Sequence, residues 1–174
     1  MISHTKNGIY GAMFFAALIA AAFGVDTVRE AIAVALDYIP RQSRLTKAIR
    51  FVMDLYDKEQ SFERAMDMIY REFGHYHWVH TINNAALLVA ALLYGDGDFE
   101  KTICYAVMGG WDTDCNGATA GSIIGVLLGV RALPAKWIDP LNNRIRTSLH
   151  GFDNSSFTEL AKRTMVQVDR FARI

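Results

Sequence analysis

Helical periodicity that recurs along most of the chain constrains its fold more than any other feature. Apolar residues at i, i+4 and i+7 spacing run from Leu45 to Tyr56, and the same spacing returns from Phe62 to Phe73. Alternating apolar and polar residues, which are typical of strands, are nearly absent. The sequence therefore predicts an all-α fold, in the form of a compact multi-helix bundle.

Residues whose side chains cap helices mark several of the predicted helix starts. Thr27 and Glu30 have capping-box spacing ahead of an apolar segment that Pro40 ends. Ser43 and Asp98 precede two further helical segments, and each carries an oxygen that accepts a hydrogen bond from the first turn. These helices are therefore expected to begin where the capping residues stand.

The segment from Ile9 to Phe23 is almost unbroken apolar sequence and imitates the apolar part of a signal peptide. Its length of about fifteen residues falls short of the roughly 20 that an α-helix needs to cross a bilayer. We therefore expect a buried core helix here and no membrane partner.

The composition indicates a folded domain without an electrostatic bias. The chain has 174 residues, and Lys plus Arg equals Asp plus Glu at 18 each. This length fits one domain covering residues 1–174. Because there is no net charge and no basic run, we expect no nucleic-acid partner. The two cysteines, Cys104 and Cys115, are too few for a disulfide framework, which favours a cytoplasmic protein.

Two carboxylates stand on either side of a hydroxyl residue in the run Asp112, Thr113, Asp114 and Cys115. In an extended backbone both Asp side chains would project to the same side, and carboxylate oxygens suit Mg²⁺ or Ca²⁺. This pattern predicts a metal site. Two alternatives remain: a surface carboxylate that caps a helix, and a reactive Cys115 thiol whose pKa falls at a helix N-terminus.

Four glycines recur every fourth residue directly after this motif, at Gly117, Gly121, Gly125 and Gly129. Each glycine costs roughly 1 kcal/mol relative to alanine in a helix, so close packing is expected to offset the cost. The Ala-rich first helix is the expected partner, packed backbone to backbone on the glycine face.

Other polar residues are candidates for lining a ligand site near the motif. Trp111 flanks it, and Asn84 is an amide in an apolar helix, where amides need hydrogen-bond partners. The cluster of His75, His77 and His80 raises the alternative of a zinc site, although no fourth ligand is evident. Because that ligand set is incomplete, a polar lining made by His80, Asn83 and Asn84 is the preferred interpretation. We predict that Trp111 and Asn84 contact substrate.

Three motifs give the chain a family resemblance. Residues 110–115 read Gly-Trp-Asp-Thr-Asp-Cys, Ser3-His4 stands just before the Ala-rich helix, and residues 133–137 read Leu-Pro-Ala-Lys-Trp. These motifs, and their order along the chain, resemble those of the ADP-ribosylglycohydrolase family. The resemblance implies an all-α fold and hydrolysis of the glycosidic bond that links ADP-ribose to a protein side chain or a related ribosyl compound.

The resemblance also implies a metal site, usually Mg²⁺, with Mn²⁺ or Ca²⁺ as further candidates. Asp112 and Asp114 would be metal ligands, and Cys115 stands where the family has a third, hydroxyl ligand. Ser3 and His4 would help to hold the ADP-ribose. Asn7 follows them closely and is expected to line the same pocket. The implied partner is ADP-ribose or an ADP-ribosylated protein.

Family members also carry an N-terminal half with acidic metal ligands and a glutamate for acid–base catalysis. The motifs found here resemble the part that follows it, so we expect a bundle truncated at its N-terminus, equivalent to the C-terminal part of a member. No catalytic acid or base is assigned. An N-terminal half on another chain, or self-association, would complete the site. The alternative is a catalytically inactive ADP-ribose-binding or scaffold module.

Overall fold

The computed structural model describes residues 4–58 and 60–171, and Ser3 therefore lies outside the described residues. Contacts divide the chain into two compact units, Met1–Ala132 and Leu133–Ile174. That residues 1–174 form a single domain stays a prediction. The first unit contains seven described α-helices: α1 (Asn7–Ala21), α2 (Val28–Leu36), α3 (Arg44–Asp57), α4 (Phe62–Phe73), α5 (Thr81–Gly95), α6 (Phe99–Met108) and α7 (Thr113–Leu128).

The helices begin at the predicted capping residues. The side chain of Thr27 accepts a hydrogen bond from the N–H of Glu30, and the Glu30 carboxylate accepts one from the N–H of Thr27, which is a complete capping box. The Ser43 side chain accepts a hydrogen bond from the N–H of Thr46 at the start of α3, and the Asp98 carboxylate accepts one from the N–H of Lys101 at the start of α6. The all-α prediction is confirmed for this unit.

Helix α5 forms the centre of the first unit and contacts each of the other six helices. It is buried on nearly all faces, including the whole run from Ala85 to Leu93. This burial explains why its sequence shows no polar face, since a helix surrounded by neighbours has no side to present to water. The ends of α5 are consequently the places where polar side chains approach the core.

Helix α1 differs from the buried core helix that its apolar sequence predicts. The helix contacts α2, α3, α5 and α7, but its buried residues, Gly11, Phe14 and Leu18, lie on one face only. The opposite side lines an apolar groove of about 480 Å³ together with Val34 and Tyr38 of α2. Self-association through such a face stays a prediction.

The glycine face of α7 packs against α6, so the prediction that it packs against α1 is wrong. A Cβ added at Gly117 would lie 3.1 Å from a Val107 methyl, and one at Gly121 would lie 3.5 Å from Ile103. Gly117 therefore leaves room for the Val107 methyl, whereas a Cβ at Gly121 would make ordinary van der Waals contact with Ile103. Gly129 is not part of the row: it follows the helix with φ of 71° and ends it.

The second unit is built from short elements and one longer helix. After a 3₁₀ turn at Val130–Ala132, which belongs to the first unit, come α8 (Ala135–Ile138), a 3₁₀ turn at Asp139–Leu141, β1 (Arg144–Ile145), β2 (Ser155–Ser156) and α9 (Phe157–Phe171). The strands pair antiparallel, with Arg144 opposite Ser156. In the described ranges, none of the helices is long and apolar enough to cross a membrane.

Candidate active site

A cavity of about 740 Å³ lies within the first unit, where the N-terminal ends of three helices meet. This volume falls in the range of pockets that bind small molecules and cofactors. Two residues from each helix start illustrate how it is built: His4 and Gly8 at α1, His80 and Asn84 at α5, and Asp112 and Cys115 at α7. The cavity therefore combines residues that are distant in sequence.

The acidic motif lies at the start of α7, and its backbone is helical rather than extended. Asp112 occupies the N-cap position, and Asp114 lies in the first turn. The expectation that an extended backbone aligns the two carboxylates is thus wrong, because the helix begins at Thr113. The Asp112 side chain makes no capping hydrogen bond, so the alternative of a simple capping carboxylate is not favoured.

Helical geometry nevertheless brings the predicted ligands together. One ligand atom each from Asp112, Asp114 and Cys115 all lie within 4.8 Å of one another. Two oxygens on opposite sides of a hard cation are roughly 4 to 5 Å apart, since each bond is about 2.0 to 2.6 Å long. The two carboxylates therefore fit a shared divalent cation, whereas the thiol is a soft donor that suits Mg²⁺ poorly.

The thiol of Cys115 is unlike a catalytic thiolate. A hydrogen bond to Asp112 and the negative charge of that carboxylate raise the pKa of Cys115, with smaller contributions from burial and Asp114. A helix N-terminus alone would lower the pKa, but the adjacent carboxylates outweigh it. The raised pKa does not favour the alternative of a reactive Cys115 nucleophile.

Asn84 lines the cavity, but its amide is fully occupied by protein groups. Its nitrogen donates to the carbonyl oxygens of Trp78 and His80, at 2.7 and 2.9 Å. Its oxygen accepts from the N–H of Asp112 and from the side-chain nitrogen of Asn116, at 3.2 and 2.8 Å. A direct substrate contact by Asn84 stays a prediction that this arrangement does not favour.

Trp111 is half-buried and packs against Tyr70 of α4, with ring centroids 4.4 Å apart. It is not one of the cavity-lining residues, so its predicted substrate contact stays a prediction. Trp111 has φ of 55° and follows Gly110 at 77°, a left-handed conformation that is uncommon for a bulky residue. The Tyr70 hydroxyl donates a hydrogen bond to the carbonyl of Gly109 and thereby supports this turn.

The predicted residues at the start of α1 have different positions. The His4 side chain lines the cavity and lies over Gly8, where an added Cβ would meet its ring at 3.1 Å. Asn7 points elsewhere: its side-chain oxygen accepts a hydrogen bond from the N–H of Leu45, which joins α1 to α3. Substrate binding by His4 and Asn7 stays a prediction, and Ser3 is outside the described residues.

The histidine cluster does not form a metal site in the described part of the chain. His77 accepts a hydrogen bond from the N–H of Val79, and His80 accepts one from the N–H of Ile82 as the N-cap of α5. Both histidines accept through Nδ1. In the described part of the chain, no histidine belongs to a group of three or more residues whose ligand atoms converge. Burial, with smaller effects of Arg44 and His75, lowers the pKa of His80.

Two contributors to the site, Tyr70 and Asn116, were not predicted from the sequence, whereas His80 lines the cavity as its polar character suggested. Asn116 is buried, with an exposed fraction of 4%, and follows Asp112 by one helical turn. A buried amide in a helix of small residues needs a partner, so this signal was present in the sequence. Nothing local in α4 indicates that Tyr70 contacts the turn at Gly109, because the two are 39 residues apart.

Fold and site together define an all-α protein with a carboxylate cluster beside a ligand-sized cavity. The family model for ADP-ribosylglycohydrolase matches residues 1–170. The chain therefore belongs to the ADP-ribosylglycohydrolase family, which supports a glycohydrolase-type function. The extent of the match does not bear out the narrower prediction that only the C-terminal part of the family is represented. No curated protein and no solved structure matches the chain.

Proposed function

We propose that this protein hydrolyses the glycosidic bond between ADP-ribose and a protein side chain or a related ribosyl compound, with a divalent cation bound at Asp112 and Asp114. The observation that carries the proposal is the convergence of these ligand atoms within 4.8 Å beside the cavity of about 740 Å³. Family membership supports the hydrolase class. Mg²⁺ is the proposed cation, with Mn²⁺ or Ca²⁺ as substitutes.

A cation held there would supply Lewis acidity and orientation for the ribose hydroxyls. Side chains that line the cavity would make the other contacts with the ligand. His80 uses Nδ1 to accept the N–H of Ile82, so in its neutral form the proton is on Nε2, which can donate to a ligand oxygen. Burial keeps the pKa of His80 low and favours this neutral form. Helix starts α5 and α7 add partial positive charge for an anionic ligand.

Release of ADP-ribose from a modified protein tests the proposal directly. The purified chain is incubated with an ADP-ribosylated protein, with Mg²⁺, with Mn²⁺ and with a chelator. We expect release with either cation and none with the chelator. Asp112→Asn should reduce release by at least a hundredfold, since it removes one of two carboxylate ligands. Asp67→Asn is the matched control, because Asp67 is exposed on α4 and does not line the cavity.

Three outcomes separate the proposal from its competitors. Equal loss in Asp112→Asn and Asp67→Asn would mean that general damage, rather than a metal ligand, explains the effect. Calorimetric binding of ADP-ribose without turnover would favour the inactive binding module. Neither binding nor turnover under any of these conditions would reject the proposed function for this chain.

A further inference from the structure

Asn84 connects the start of α5 with the start of α7 through a single amide. A primary amide has two N–H donors and an oxygen that accepts two hydrogen bonds. All four positions are used: the nitrogen bonds Trp78 and His80, and the oxygen bonds Asp112 and Asn116. The side chain therefore has no hydrogen-bonding capacity left for a ligand, although it lines the cavity.

The backbone that Asn84 holds is the segment just before the predicted metal ligands. Gly110 and Trp111 have φ of 77° and 55°, and a left-handed bulky residue persists only where its surroundings hold it. The N–H of Asp112 comes directly after this turn and bonds to Asn84. On the other side, Tyr70 holds Gly109 through its hydroxyl and Trp111 through its ring.

We propose that Asn84 is a positioning residue, which holds the start of α7 so that the carboxylates of Asp112 and Asp114 converge on one cation. The inference rests on the proposed function, because it assigns Asn84 a role in the same metal site. The bond to Asp112 sets the backbone position, and the bond to the buried Asn116 sets the rotation of the first helical turn. Tyr70 supports the same turn from α4.

Asparagine is the side chain that meets these demands. Aspartate would keep the acceptor oxygen, but it would lose both donors and place a carboxylate against the carbonyl oxygens of Trp78 and His80. Leucine would fill similar space, but the Trp78 carbonyl, the Asp112 N–H and the Asn116 side-chain nitrogen would lose their bonds to Asn84, each at a cost of about 1 to 3 kcal/mol where buried. The His80 carbonyl would keep the backbone N–H of residue 84. The two N–H donors of Asn84 fix the orientation of its amide, and in this orientation the amide oxygen accepts the N–H of Asp112.

The test compares Asn84→Ala with Asn83→Ala. Asn83 is the adjacent residue of α5 and is fully buried, but its amide nitrogen donates to the carbonyl of His77, and its amide oxygen has no hydrogen-bond partner among the described residues. The first measurement is hydrogen exchange of the Asp112 amide, resolved by NMR. We expect exchange at Asp112 to accelerate at least tenfold in Asn84→Ala and to stay unchanged in Asn83→Ala, while core amides of α5 keep their protection.

The second measurement is Mn²⁺ affinity by calorimetry, together with kcat and KM for ADP-ribose release. Groups that orient metal ligands change affinity by about 10- to 100-fold when they are removed. We expect a loss of at least tenfold in Mn²⁺ affinity and a lower kcat in Asn84→Ala. If only KM rises, Asn84 contacts substrate and the positioning role is overturned. Unchanged Mn²⁺ affinity, or unchanged exchange at Asp112, overturns it as well.

Tyr70→Phe provides a second variant, in case Asn84→Ala does not fold. It keeps the ring against Trp111 and removes only the hydroxyl that bonds Gly109, so a smaller loss of Mn²⁺ affinity is expected. Tyr94→Phe is its control, because the buried Tyr94 hydroxyl has no hydrogen-bond partner among the described residues. If wild-type protein binds no Mn²⁺ and releases no ADP-ribose, the proposed function itself fails. If wild type binds and the variants bind equally, only the positioning role fails.

Discussion

Cys115 places a thiol beside two carboxylates, and this combination distinguishes the acidic cluster from an all-oxygen site. The carboxylates of Asp112 and Asp114 favour a hard cation, whereas sulfur favours softer metals such as Zn²⁺ or Cd²⁺. Both cysteines of the chain are free, but Cys104 lies on α6 and is not part of the cluster. One substitution can therefore replace the sulfur donor with an oxygen donor.

Cys115→Ser should raise the affinity for Mg²⁺ on the order of tenfold and lower the affinity for Cd²⁺, because a hydroxyl oxygen replaces a soft donor. Calorimetric titration with each cation measures both changes. Cys104→Ser is the matched control and should leave both affinities unaltered. If Cys115→Ser leaves the ratio of the two affinities unchanged, Cys115 is not a ligand.

His80 makes the stability of the first unit sensitive to acid. Its Nδ1 accepts the N–H of Ile82, and burial lowers its pKa below the ordinary value of about 6.5. The unfolded chain therefore binds the proton more readily than the folded one. This contribution to stability is fully present above the unfolded pKa and is lost as pH falls through it towards the folded pKa.

His80→Asn should accordingly remove part of the decrease in the free energy of unfolding between pH 8 and pH 5. Asparagine is a strong N-cap residue and does not titrate, so stability at pH 8 should change by no more than about 1 kcal/mol. Urea unfolding across this pH range gives the comparison. His150→Asn, at an exposed position in the second unit, serves as the control. Parallel pH profiles for wild type and His80→Asn would contradict the role of His80.

At the scale of helices, the glycines of α7 and the glycine at position 11 of α1 differ in whether alanine can replace them. On α7, Cβ atoms at Gly121 and Gly125 would lie 3.5 and 3.9 Å from Ile103 and Phe99, which is ordinary van der Waals contact. On α1, a Cβ at Gly11 would overlap the hydroxyl of Thr81. Gly121 and Gly125 therefore tolerate alanine, and Gly11 does not.

Gly121→Ala and Gly125→Ala should each raise the free energy of unfolding by up to about 1 kcal/mol, because alanine loses less backbone entropy in a helix than glycine. Chemical denaturation of the single and double variants measures the gain, which should be nearly additive. A loss of stability in either single variant would show that α6 and α7 lie closer together than the structure has them.

Gly11→Ala should lower the free energy of unfolding by about 1 to 3 kcal/mol, since it overpacks the contact between α1 and α5. The cause is the hydroxyl of Thr81, so the double variant Gly11→Ala with Thr81→Ala should recover most of the loss. Both proteins are compared by urea denaturation. No recovery in the double variant would mean that Gly11 is required for another reason.

Local signals in the sequence were enough to predict most helices but not their partners. Thr27, Ser43 and Asp98 cap helices through bonds within one turn, so their roles can be predicted from spacing alone. The partner of the α7 glycines could not be predicted in this way. It depends on which helix the fold brings alongside, and the apolar residues of α1 and α6 look equally suitable.

The same distinction explains what was predictable in the candidate site. Asp112, Asp114 and Cys115 are neighbours in sequence, and a single helical turn brings them together. Asn84 was selected because an amide in an apolar helix needs partners, which is a sound reason. Its partners on α7, the N–H of Asp112 and the side-chain amide of Asn116, are 28 and 32 residues away in sequence. The sequence therefore indicated that Asn84 needs a partner, but it suggested substrate as that partner.

At the scale of the whole molecule, the candidate site depends on the first unit. Its cavity, acidic cluster and turn at Gly110 all come from residues before 133, and the central helix α5 contacts every helix that contributes to them. A ligand of the folded site therefore stabilises the unit as a whole, because the convergence of α1, α5 and α7 exists only in the folded state.

Divalent cations should accordingly raise the melting temperature of the protein. A ligand at 100 times its dissociation constant adds about 2.7 kcal/mol to the free energy of unfolding, if it does not bind the unfolded chain. For a chain of this length each kcal/mol shifts the melting temperature by about 2 to 4 °C, so a rise of about 5 to 10 °C is expected at that concentration. Differential scanning calorimetry with increasing Mg²⁺ or Mn²⁺ measures the rise. Asp112→Asn with Asp114→Asn should abolish it while Asp67→Asn retains it, and an equal rise in all three proteins would place the cation elsewhere.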